Sequence, residues 1–188
     1  MKNKIVWVII VTVVAIPLIA AISSEFSADK GRRIEIFLNR IARDTRPTVF
    51  LRKATFTEDE LNAYFNIFYA RKYAPEVKYI KLKLEKENLI SGLFKVELNE
   101  KDYPKVPSLF RDFEIEMDGR LESEKLRMRF VFKTIKINGT LFSPEILDET
   151  FGLAQGKTDV KKSIFDWFNM LPGIKRVVVE EKKITFYY

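Results

Sequence analysis

The chain has 188 residues, 47% of them hydrophobic and 31% charged, a mixture that supports one folded core plus an appendage. It contains no Cys and no His, which removes thiol nucleophiles, disulfides, imidazole bases and the common zinc sites together. The formal charge of +7 is modest, and Lys81, Lys83, Lys95, Arg127 and Arg129 alternate with apolar residues as on the wet face of a sheet, so nucleic acid is not the expected partner.

In chain order, the first element follows Lys2 and Lys4, where IVWVIIVTVVAIPLIAAI runs from Ile5 to Ile22 without a charge. Such a run is a membrane-targeting segment. Its length of about 18 residues exceeds the roughly 7–15 of a signal-peptide core and approaches the roughly 20 that span a bilayer. A signal anchor is therefore favoured over a signal peptide cut after Ser23, and Pro17 does not exclude spanning. Segments of this shape leave the bulk of the chain outside the cytoplasm. The expected location is the cytoplasmic membrane, single-pass, with the C-terminal domain extracytoplasmic; cleavage near Ser23 would instead give a secreted or periplasmic protein. Residues 1–23 form this segment, 24–47 a linker with a short amphipathic helix, and 48–188 a single α+β domain.

In the linker, Ile34, Ile36, Phe37, Leu38 and Ile41 predict the short helix, ended by Pro47. Thr57 then opens a second helix through the capping box TEDE. Along it Leu61, Tyr64, Phe65, Phe68 and Tyr69 recur at helical spacing as one stripe, with Asn62, Asn66 and Arg71 on the other side. The period next changes to two. Ile80, Leu82 and Leu84 oppose Lys81 and Lys83, a Lys-Glu-Asn turn follows, and Phe94, Val96 and Leu98 alternate again: a hairpin with one apolar face. Pro104 and Pro107 mark a loop. In the second meander Phe113, Ile115 and Met117, then Leu126, Met128, Phe130 and Phe132, share a face, and Ile135 and Ile137 lead to Asn138-Gly139. Ser143-Pro144 starts a short helix presenting Ile146, Leu147 and Phe151. A further helix is expected to present Ile164, Trp167, Phe168 and Leu171 before Pro172-Gly173, and two strands about a Glu-Lys turn close the chain.

Several short motifs resemble sites and are better explained otherwise. GLAQGKT, Gly152 to Thr158, is one residue short of a phosphate loop and follows no strand. SADK, Ser27 to Lys30, has a Ser-x-x-Lys spacing but lies just past the membrane segment and lacks companion motifs. Asn138-Gly139-Thr140 matches a glycosylation acceptor, yet a hairpin turn accounts for it. The acid pairs Asp59/Glu60 and Glu180/Glu181 fall at a helix start and a turn, not in an apolar setting that would tune one for acid-base work. No catalytic residue, metal ligand or cofactor site is expected, and no enzyme.

The apolar faces remain. They are either packed core or the lining of a groove for an acyl chain, made by Leu61, Tyr64, Phe65, Phe68, Phe94, Val96, Met128, Phe130 and Phe132. The order of elements, with TEDELNAYFN, VKYIKLKLEKENLISGLFKVEL, INGTLFSPEILDETFG and LPGIKRVVVEEKKITFYY over Thr57 to Tyr188, resembles the extracytoplasmic TULIP-like domains of bacterial envelope proteins, the YpmS and LmeA types. The resemblance implies a long curved antiparallel sheet packed around an amphipathic helix, an apolar groove, and lipid binding or transfer without a cofactor. The expected function is thus a membrane-anchored extracytoplasmic module that binds a lipid or other amphiphile. The competing expectation is a non-catalytic scaffolding domain of an envelope complex, meeting a protein partner through Tyr103, Phe110, Tyr187 and Tyr188.

Overall fold

The structure, a computed structural model, describes residues 26–43, 51–101, 104, 111–143 and 166–188. The apolar run of residues 5–22 and the helix expected from Pro144 onward lie outside them. Among the described residues, no helix is long and apolar enough to cross a membrane.

Helix α1 (Ala28–Arg43) carries Asp29 in its first turn and Arg40 and Arg43 in its last, the charge order that suits the helix dipole. Ile34, Phe37 and Ile41 share its buried face, while Ile36 stays exposed. The helix expected in the linker thus contributes directly to the core. Phe37 packs its ring 5.2 Å from Phe56 and 5.6 Å from Phe186, which ties α1 to an early and a late segment of the chain.

Strand β1 (Lys53–Thr57) runs straight into helix α2 (Glu58–Tyr64). The capping box forms as the sequence predicts: the Glu60 amide donates to the Thr57 hydroxyl at 3.2 Å, and the Thr57 amide donates to the Glu60 carboxylate at 2.7 Å. The helix then widens through a π-helical turn (Phe65–Tyr69), in which the Ala70 amide reaches back to the Phe65 carbonyl, and finishes as α3 (Ala70–Tyr73).

The architecture is α+β. Strands β2 (Val77–Leu84), β3 (Leu89–Glu97), β4 (Asp112–Glu124), β5 (Arg127–Ile137) and β6 (Thr140–Phe142) follow one another across an antiparallel sheet, and β7 (Phe168–Asn169) pairs with the start of β5. A smaller antiparallel sheet has the order β1, β9 (Lys183–Tyr187), β8 (Arg176–Glu180). The expected alternation is present. Ile80, Phe94 and Ile115 align across β2, β3 and β4, as do Leu84, Ile90 and Gly119, while Lys95 meets Glu114 at 3.1 Å and Lys136 meets Glu116 at 3.1 Å on the wet face.

The opposite side of the stripe helix is not solvent-facing, as its polar residues suggest. Glu58, Asn62 and Asn66, one turn apart, meet Leu84, Leu82 and Ile80, every second residue of β2. The Asn62 amide donates to the Leu82 carbonyl at 2.9 Å and accepts from its N–H at 2.7 Å; Asn66 does the same with Ile80, at 2.6 and 2.9 Å; Glu58 accepts from the Leu84 N–H at 2.6 Å. Four helical residues advance about 6 Å and two strand residues about 6.6–6.8 Å, so the two repeats stay in step over this length. The side-chain amides act as a substitute strand that seals the edge of the sheet.

Two further expectations are corrected by register. Leu126 does not share the face of Met128: it lies in the β4–β5 turn with Lys125, both at positive φ (66° and 48°), and is exposed. Phe168 belongs to strand β7 opposite Met128, not to a helix, because β5 leaves an unpaired edge there that the chain adds to. The other turns match the sequence. Asn138-Gly139, at φ 50° and 76°, closes the β5–β6 hairpin, and Glu181-Lys182 closes β8–β9.

The small sheet docks on the β2–β3 end of the large one. The Lys182 amide donates to the Leu84 carbonyl at 3.0 Å and the Val179 amide to the Asn88 side chain at 2.7 Å. One continuous apolar cluster results, drawing on α1, α2 and both sheets.

Candidate functional site

Two groups of apolar side chains extend from this cluster toward the surface. The first lies on the helix. Tyr64, Phe65, Phe68, Tyr69 and Tyr73 stack in sequence, with ring centroids 5.5 Å apart for Tyr64 and Phe65, 6.4 Å for Tyr64 and Phe68, 5.6 Å for Phe65 and Tyr69 and 5.3 Å for Tyr69 and Tyr73. Tyr64 and Phe68 are near-parallel and the other pairs are tilted or edge-on, both arrangements that aromatic rings favour. Burial, then the neighbouring phenols Tyr73 and Tyr69 and the Glu35 carboxylate, hold the Tyr64 hydroxyl far above the ordinary phenol range. Burial and Tyr73 push Tyr69 up to about 12. Both phenols stay neutral at physiological pH, so they offer apolar surface and a hydroxyl rather than a base.

The second group lies on β4, β5 and β6. Phe113, Leu121, Met128, Phe130, Phe132, Ile137 and Phe142 are half-buried and pack on the edge of the core. Register explains their alignment: Leu121 is opposite Phe130, Ile115 opposite Ile137, and Ile135 opposite Phe142. A shift between Asp118 and Gly119 leaves Lys133 as an extra residue in β5, which keeps Phe132 on the same face as Ile135 although the two are three residues apart. Gly119 is required here, since a Cβ would collide with the Phe130 ring and the Val131 carbonyl. Phe130 in turn packs 4.8 Å from Phe132, edge to face.

The nine residues expected to line a groove therefore occupy three settings. Leu61, Phe94 and Val96 are core, with Phe94 and Val96 each 1% exposed. Tyr64, Phe65, Met128, Phe130 and Phe132 are half-buried and pack against that core. Phe68, also half-buried, turns toward α1, where its ring lies 2.9 Å from the position a Cβ would take on Gly31. Phe113, Leu121, Ile137 and Phe142 belong to the same strip and were not among the nine. Their signal is the strand register, which alternation within a single strand does not reveal.

Of the aromatic residues expected to be exposed for a protein partner, Tyr103 and Phe110 lie outside the described residues. Tyr187 and Tyr188 are half-buried instead. The Arg176 guanidinium covers the Tyr187 ring at 4.5 Å, and Tyr188 packs 5.3 Å from Phe37 while its hydroxyl accepts from Arg40 at 3.2 Å. Their place in β9 and beside it, at the centre of the small sheet, accounts for the difference.

On the wet face Arg129 pairs with Glu122 at 2.7 Å and the Thr134 hydroxyl donates to Asp118 at 2.6 Å. The strip itself can supply dispersion and hydrophobic contact, which hold an alkyl chain without acting on it. No protein-family model, curated protein or solved structure matches the chain.

Proposed function

We propose that the protein is a membrane-anchored, extracytoplasmic module that binds a lipid or similar amphiphile and carries out no covalent chemistry. The observation that supports this reading best is the strip on β4–β6, where seven apolar side chains line up on one face, continuous with the core yet only half-buried. An apolar chain laid along it would complete its burial. The uncharged run of residues 5–22 supplies the anchor in this reading. The sheet would curve around the helix as in the TULIP-like domains that the order of elements resembles, with the rings of Tyr64 and Phe65 as a second wall.

The test is native mass spectrometry of residues 26–188 prepared without detergent, followed by solvent extraction. The expected result is a reproducible adduct of lipid mass. Replacement of Phe130 by Asp should abolish it in a variant that still unfolds cooperatively. A protein of clean apo mass from which no lipid can be extracted would overturn the proposal.

A further inference from the structure

The β4–β5 turn is built against the usual chemistry of tight turns. Both central residues, Lys125 and Leu126, have positive φ, 48° and 66°, a region where Gly and Asn are favoured and a branched apolar side chain is strained. The β5–β6 turn meets the same demand with Asn138-Gly139, and the β2–β3 turn places Asn88 at its second positive-φ position. At the β4–β5 turn the strained position carries a leucine that is 56% exposed. A lone exposed leucine is ordinary; one in left-handed backbone, where a smaller or polar residue would relieve strain, is not.

A second exposed apolar residue stands beside it. The Met170 amide donates to the Leu126 carbonyl at 2.9 Å, which brings Leu171, 38% exposed, to the same end of the sheet. Around the two leucines the exposed cations are Lys125, whose side chain is 86% exposed and meets Glu124 at 3.1 Å, then Arg127, and Arg176 at the head of the strand that leaves the Leu171 turn; they outnumber the exposed acids Glu124 and Asp166. Trp167 is covered by the Arg129 guanidinium at 4.7 Å, one residue pair further along β5. Leucines at the apex, cations around them and an indole behind them match the depth order of a lipid surface: acyl region, phosphate layer, interface.

We infer that the Lys125–Leu126 turn, together with Leu171, is a tip that inserts into the head-group layer of an anionic lipid surface. The tip lies where the strip of Met128, Phe130 and Phe132 reaches the end of the sheet, so docking would open that strip to the bilayer. The inference rests on the proposed function for the passage of a ligand, though not for the docking itself.

Because the chain has no cysteine, a single environment-sensitive fluorophore can be placed on Asn169→Cys beside the tip, or on Thr140→Cys at the far end of β5. These positions are about 33 Å apart from strand geometry. The full chain, held in phosphatidylcholine nanodiscs, is mixed with vesicles of phosphatidylcholine with and without phosphatidylglycerol. The probe at position 169 should brighten and shift to the blue with the anionic vesicles, and the probe at 140 should not. Leu126→Gly should raise the Tm by relieving the turn and at the same time weaken vesicle binding by about tenfold, the loss expected for one inserted leucine. No response at 169, an equal response at both positions, or a Leu126→Gly variant that binds vesicles as well as the parent would overturn the inference. A tip that docks while no lipid is extracted from the domain would leave the inference standing and overturn only the carrier reading.

Discussion

Asn62 is the residue on which the joint between helix and sheet depends most. Its amide satisfies both the N–H and the carbonyl of Leu82 in a buried setting. Asn62→Leu keeps the approximate volume and leaves both groups without their partner. Each unsatisfied buried group costs about 1–3 kcal/mol, so a loss of roughly 2–6 kcal/mol is expected in urea unfolding. An unchanged midpoint would mean that water replaces the amide. Glu60 provides the pH dependence. Burial would raise its pKa, but the Thr57 amide, the Arg33 guanidinium and the Thr57 hydroxyl outweigh burial and hold it below the ordinary 4.5. The folded form therefore holds this proton less tightly than the unfolded chain. The stabilisation it gives is full above the ordinary value and disappears as pH falls through the depressed one. Glu60→Gln should be less stable at neutral pH, with the difference from the parent shrinking as acid is added; a constant difference would show that the charge of Glu60 is not what stabilises the cap.

At the level of elements, α1 and α2 approach each other at Gly31. A Cβ there would lie 2.9 Å from the Ala63 carbonyl carbon and the Tyr64 nitrogen, backbone atoms that cannot swing aside. Alanine is the better helix former by about 1 kcal/mol, so Gly31→Ala would stabilise an open helix. Overpacking costs about 1–3 kcal/mol, and against fixed backbone the upper part of that range applies. A lowered Tm is expected, and a raised one would show that α1 can shift away without loss. Much of this level is legible in the sequence. The capping box, the two hairpins, the Asn-Gly turn and the one-sided strands depend on neighbours within a few residues, and each reads from local pattern. Asn62 and Asn66 do not, because a polar side chain reads as solvent-facing until an open strand edge is placed beside it. Leu126 fails for a related reason: alternation assigns it a face, and only the pairing of Glu124 with Arg127 reveals that it lies in the turn. Of the candidate lining, the helix stripe and Met128, Phe130 and Phe132 are readable from spacing, whereas the division into filled core and half-buried border depends on which elements cover which.

At the scale of the whole molecule, the core of the described residues is one cluster that includes α1, α2 and both sheets, so none of these elements has an interior of its own. Residues 26–188 should therefore unfold in a single transition. Trp167 is the only indole in that span, and its fluorescence should lose its native signal at the same denaturant concentration as the far-ultraviolet circular dichroism. Two separated midpoints would show that the β7 end melts independently. The small sheet has a different consequence, for synthesis. Its central strand is β9, and Thr55 meets Thr185 across 130 residues of chain. At about 5–20 residues per second, β1 waits roughly 7–26 seconds on the ribosome before its partner exists. During that interval Phe37 and Phe56 have each other but not Phe186. The nascent chain thus presents an aromatic surface until β9 emerges, a period in which a chaperone has more to offer it than at any time after that strand is in place.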